Sequence, residues 1–156
     1  MTPKLTNKPI SIGSDHRGVV LKARLKGWLQ ANGYTINDCG VDDSVERVDA
    51  MDYALQLVAE IKENRSDFGI GICGSGQMMA IAANRFPFIR ATLLHTAAES
   101  VPAREHGDAN MLILGADTVD ASTAEHILKA FLDTPALGGR YAERRDRLAK
   151  LDASGL

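Results

Sequence analysis

Aromatic residues make up only 5% of the 156 residues, too few for the stacking platforms that hold single-stranded nucleic acids. The net charge is only −2, so no broad positive face for a phosphate backbone is expected, and nucleic acid is excluded as a partner. No apolar run approaches the roughly 18 residues that cross a bilayer, so no membrane span is expected. The opening MTPKLTNKPI carries lysines but no apolar core, and no secretory signal is read there. The two cysteines, Cys39 and Cys73, cannot make a disulfide framework, and no Cys/His cluster has zinc-ligand spacing. Together these shortages predict a reduced, cytoplasmic protein without a structural metal.

Hydrophobic residues at 45% and charged residues at 24% describe an ordinary globule rather than a disordered chain. The length suits one domain with its own core. We expect that domain over 10–151, between a loose tail at 1–9 and a short tail at 152–156. Short apolar segments read as strands at Ile10–Gly13, Tyr34–Cys39, Phe68–Cys73, Ala91–Leu94 and Met111–Leu114. Helices are predicted between and after them, at Val19–Asn32, Met51–Asn64, Gln77–Arg85, Ala97–Glu105, Thr123–Leu132 and Tyr141–Leu151. Asp42–Asp49 reads as a polar loop. Strands alternating with helices predict an α/β protein with a five-stranded parallel sheet covered on both faces.

Ligands of such sheets bind at the carboxyl ends of the strands. The first strand ends in Ser14-Asp15-His16, the third in Cys73-Gly74-Ser75-Gly76 and the fourth at His95. The loop before the fifth carries Arg104-Glu105-His106-Gly107-Asp108. Gly74 and Gly76 flank a serine between a buried strand and a helix, a composition that suits either an amide cradle for an anion or a plain turn. A helix N-terminus beside Cys73 would favour a thiolate; a buried cysteine is otherwise a small hydrophobe. Asp15 could orient a histidine or cap a helix, and His16 could act as acid or base. Arg140 and Arg144 lie one helical turn apart, as a phosphate clamp or as part of a solvated charge run. Positions 74–79 supply no arginine for a cysteine phosphatase, the glycines follow the wrong strand for a dinucleotide fold, and a P-loop lysine is missing. Acid–base chemistry on a small anionic molecule remains.

The segments GSDHRGVVLK (13–22), GIGICGSG (69–76), IAANR (81–85), IRA (89–91), AREHGDANMLILGA (103–116) and GGRYAERR (138–145) resemble the ribose-5-phosphate isomerase B family, which includes galactose-6-phosphate isomerase subunits. They follow that family's order from about residue 10 to 151. The resemblance implies a Rossmann-like α/β/α sandwich with a C-terminal helix. It further implies a homodimer, sometimes a tetramer, with the pocket between subunits and no cofactor. The implied reaction interconverts an aldose phosphate and a ketose phosphate. Carried over by position, Cys73 is the base at carbon, Ser75 assists proton transfer between oxygens, and the amides from Gly74 through Gly76 and Gln77 to Met78 cradle the enediolate. His106 opens the sugar ring with help from Asp15, and His16, Arg140 and Arg144 grip phosphate.

Five positions depart from the family pattern. Met78 and Gly107 replace a glycine and an asparagine, Asp49-Ala50-Met51 replaces Asp-Tyr-Pro, and Asp117 replaces an arginine that helps hold phosphate. These changes motivate two alternatives to a pentose-phosphate isomerase. One is a non-catalytic sugar-phosphate-binding homologue or subunit; the other is an isomerase of an unphosphorylated sugar.

Overall fold

The computed structural model describes residues 4–43 and 46–151. Five parallel strands form one sheet: β1 (Ile10–Ser14), β2 (Ile36–Asp38), β3 (Gly69–Cys73), β4 (Ala91–Leu93) and β5 (Met111–Gly115), in the spatial order β2-β1-β3-β5-β4. The helices are α1 (Val19–Ala31), α2 (Ala50–Lys62), α3 (Gln77–Ala83), α4 (Ala97–Glu105), α5 (Ala121–Asp133) and α6 (Arg140–Ala149). A short 3₁₀ turn, His16–Gly18, links β1 to α1.

Alternation along each strand divides the apolar side chains between two layers. Ile70 and Ile72, with Leu112 and Leu114, pack against Leu25 and Leu29 of α1 and Ile127, Leu128 and Phe131 of α5. On the opposite face Cys73, Met111 and Ile113 pack with Leu57 and Val58 of α2 and Met79 and Ala83 of α3. The result is an α/β/α sandwich. Glycine in the middle of β3 lets α2 and α3 sit close, because a Cβ on Gly71 would stand 2.8 Å from Ile113 Cδ1 and 3.2 Å from Met79 Sδ.

Most predicted elements lie within two residues of their expected bounds. The second strand is shorter than expected, three residues rather than six, because at Tyr34 the main chain is still bonded back to α1, its N–H donating to the Leu29 carbonyl at 2.9 Å. The fifth helix starts earlier, at Ala121, because Asp120 caps it by accepting the Thr123 N–H at 2.7 Å. Residues 4–9 are tied down rather than loose: Thr6 donates to Asp67 at 2.7 Å and Lys8 pairs with Asp67 at 2.9 Å. The predicted tail at 152–156 lies outside the described residues.

The chain order reverses between β1 and β3: β2 lies on one side of β1, and the later strands lie on the other. Such a reversal leaves a crevice at the carboxyl ends of the two strands.

Candidate active site

A cavity of about 760 Å³ opens where that crevice is expected, a size suited to a small metabolite. Its wall comes from Asp15, His16 and Arg17 after β1, Arg47–Asp49 in the β2–α2 loop with Ala50 at the start of α2, Cys73–Ser75 at the end of β3 and just after it, and Asp117 after β5. Asp15 caps the 3₁₀ turn, its Oδ1 accepting the N–H of Arg17 at 2.9 Å and of Gly18 at 3.2 Å. That cap turns the chain so that His16 and Arg17 face the crevice. His16 Nδ1 accepts the Val48 N–H at 3.2 Å, which leaves the proton of the neutral ring on Nε2.

The loop after β3 is anchored by two main-chain bonds to the end of β5: Ala116 N–H donates to the Cys73 carbonyl at 2.8 Å, and Asp117 N–H to the Gly74 carbonyl at 3.0 Å. Gly76 then adopts φ +78°, a left-handed conformation that glycine accepts without strain, and starts α3. This bend turns its N–H onto Cys73 Sγ at 3.1 Å. Burial pushes the thiol above its ordinary value and the Asp15 carboxylate adds to this, while the amides of Gly76, Met79 and Ser75 pull it down without overcoming burial. A helix start alone would suggest a lowered value; desolvation wins here. The Gly76 N–H is thus turned on the sulfur itself. Ser75 is exposed beside it, and its Oγ accepts the Gln77 N–H at 3.2 Å.

Asp15, His16, Cys73, Gly74 and Ser75 thus share one cavity. Gly76 lies behind the sulfur, and Met78 stands half exposed on α3, outside the cavity wall. Asp49 caps α2 through the Met51 N–H at 2.9 Å. Sequence reading singled out neither Arg17, Arg47 nor Val48. Arg17 pairs with Asp117 at 2.5 Å and lies against Gly74, where a Cβ would meet its guanidinium carbon at 3.0 Å. Cys39, the other free thiol, is pushed up to about 11, first by burial and then by Glu60, and lines no part of the cavity.

His106, Arg140 and Arg144 are elsewhere. His106 ends α4, five residues before β5 begins, whereas Cys73 pairs with Gly115 at the far end of β5. The length of β5, about 13 Å at 3.3 Å per residue, separates the two edges of the sheet. At the second edge the His106 ring stacks on Tyr141, with centroids 4.2 Å apart and planes 1° from parallel. Arg140 and Arg144 lie over the same tyrosine, 4.9 Å and 5.8 Å from its centroid. The loop carrying His106 is rigidly held. Buried Arg104 binds Asp108 at 2.9 Å, Arg90 donates to the Asp108 carbonyl at 2.7 Å, and Arg145 donates to the His106 carbonyl at 3.1 Å.

The family model for ribose/galactose isomerases matches residues 10–148. The chain belongs to the ribose/galactose isomerase family. It is 34% identical over 145 residues to ribose-5-phosphate isomerase B of Escherichia coli, covering 93% of this chain and 97% of that one. It is 32% identical over 139 residues to D-erythrulose-4-phosphate isomerase of Pectobacterium atrosepticum, covering 89% and 91%. Among solved structures, ribose 5-phosphate isomerase from Thermotoga maritima matches with a TM-score of 0.89 at 38% identity, covering 94% of this chain and 100% of that one. This isomerase shares the family's reaction class, the interconversion of an aldose phosphate and a ketose phosphate. Among its described residues no helix is long and apolar enough to cross a membrane, and no group of three or more His, Cys, Asp or Glu could hold a metal ion.

Proposed function

We propose that this isomerase acts on a small phosphorylated sugar, ribose 5-phosphate or a shorter relative, through an enediolate formed by the Cys73 thiolate. The observation that carries this reading is the placement of Cys73 on the cavity wall beside the exposed Ser75, with the Gly76 N–H on its sulfur. The sulfur removes the proton at carbon 2 of the open-chain aldose and returns it to carbon 1. Ser75 relays the hydroxyl proton from oxygen 2 to oxygen 1. Main-chain amides of the β3–α3 loop stabilise the charge that develops on oxygen. His16, with its proton on Nε2, donates towards the anionic end of the substrate.

His106, Arg140 and Arg144 join the reaction in this reading from a second copy of the chain, since one copy holds them at the opposite sheet edge. Met51 and Leu55 on α2, with Met78 and Ile81 on α3, leave an exposed apolar face next to the cavity, and Ile81 is 59% exposed. A face of that kind suits a mutual interface in a twofold dimer, where each copy completes the other's site.

Substituting Cys73→Ser tests the base. Solvent exchange of the proton at carbon 2 falls by roughly 10²–10⁴-fold in the folded variant. Exchange at the wild-type rate would overturn the mechanism. Mixing Cys73→Ser with His106→Asn chains tests the shared site. Random pairing restores about a quarter of wild-type activity, because half the dimers are mixed and each holds one intact site. A mixture as inactive as its parents would remove the two-chain reading. A panel of tetrose, pentose and hexose phosphates identifies the sugar.

A further inference from the structure

We propose that Asp117 sets how tightly the cavity takes the anionic group of its substrate, by holding the Arg17 guanidinium until that group displaces it. This rests on the reading that the cavity receives a phosphorylated sugar, and it names a specificity determinant within it.

Three acidic side chains reach the cavity, and they are not equivalent. Asp15 and Asp49 are committed to backbone N–H groups, as caps of the 3₁₀ turn and of α2. The partner of the Asp117 carboxylate among the described residues is Arg17, with Nη2 and Oδ2 at 2.5 Å. Both partners line the mouth. The Asp117 N–H is held by the Gly74 carbonyl at 3.0 Å, and the Arg17 guanidinium lies against Gly74 itself. An anion entering beside the amides of this loop therefore meets both a cation and the carboxylate that neutralises it.

The two side chains are about half exposed, at 55% and 46%, so their pairing contributes little to the fold and can be exchanged. A phosphate dianion offers the guanidinium a stronger, two-pronged partner than one carboxylate. Arg17 passes from Asp117 to the incoming anion, and the carboxylate left behind repels that anion. Asp117 thereby weakens binding twice, as a competitor and as a like charge.

The test uses inorganic phosphate as the probe and calorimetric titration of the full chain as the readout. Asp117→Asn keeps the shape and removes the charge; phosphate binds it roughly five- to twentyfold more tightly than wild type. Adding Arg17→Ala to that variant cancels the gain. Unchanged affinity in Asp117→Asn, a gain that survives Arg17→Ala, or no phosphate binding by any of the chains overturns the proposal. Turnover of sugar phosphates by the wild type is measured separately. Loss of the activity reading with the phosphate series intact leaves this inference standing, and turnover with a flat phosphate series removes this inference alone.

Discussion

Substituting Gly76→Ala strikes the point at which fold and chemistry meet. An alanine there must hold φ near +78°, which costs about 1–2 kcal/mol for a residue with a Cβ. Its Cβ would also lie 2.5 Å from Leu93 Cδ1, 3.2 Å from Ile113 Cγ2 and 3.3 Å from the Leu114 carbonyl carbon. The leucine methyl can rotate away, but the β5 backbone cannot, and overpacking of this kind costs about 1–3 kcal/mol. The sum is about 3 kcal/mol, which for a chain of this length lowers the melting temperature by roughly 6–12 °C. Relief of the clash shifts the loop and weakens the Gly76 N–H bond to Cys73 Sγ, so the thiol moves further up. Calorimetry and the pH dependence of kcat/KM measure the two effects. Gly138→Ala is the control, since a Cβ there meets nothing within 4 Å, and it leaves both unchanged. A Gly76→Ala protein as stable as wild type, with the same pH profile, would refute the argument that this amide holds the sulfur.

Four further outcomes are expected. Burial holds the Cys73 thiol protonated above its ordinary range, so kcat/KM rises about tenfold per pH unit from neutrality into the alkaline range, and a flat profile counts against a thiolate base. Both thiols keep their protons to higher pH when folded than when unfolded, so stability is full below the ordinary thiol range and falls above it; urea midpoints between pH 7 and 10 check the sign. Lys22 is buried and holds Asp38 and Asp42 at 2.8 Å each, bracing the loop that runs on to Arg47–Ala50. Lys22→Met costs about 2 kcal/mol, less than a sealed pair, because Asp38 keeps Lys26 and Asp42 regains water; KM rises more than kcat falls, and an unchanged KM would show that the loop does not need the brace. Gly27 sits inside α1 with open space around it, so Gly27→Ala raises stability by roughly 0.5–1 kcal/mol in urea unfolding.

The sheet was legible because its buried strands are short segments of apolar and small residues, and the placement of Cys73 followed from its position at the end of one of them. The strand order was not legible. Nothing local to Ala91–Leu93 says that β4 takes the edge while β5 inserts beside β3. That insertion brings Asp117 to Arg17, a hundred positions away in the chain, a pairing that no local pattern around Arg17 signals. The polar loop around His106 resembles the strand-end loops in composition, yet it leads into a strand rather than out of one. In a parallel sheet those two kinds of loop lie on opposite edges, and the structure puts His106 on the amino edge. The contest over the thiol was also hidden, since a motif displays the helix start but not the desolvation that outweighs it.

The two rungs by which Ala116 and Asp117 hold the Cys73 and Gly74 carbonyls are made by peptide groups, which every residue but proline can supply. The shape of the loop is therefore indifferent to which side chains stand at 116 and 117. Gly115 is the exception, since a Cβ there would meet the Ser75 carbonyl oxygen at 2.8 Å. Evolution can thus retune the rim of this crevice, swapping acid for base or large for small, while the sulfur keeps its position. A scaffold wired in this way separates what is recognised from what is done to it, and lets one reaction spread across a range of sugars.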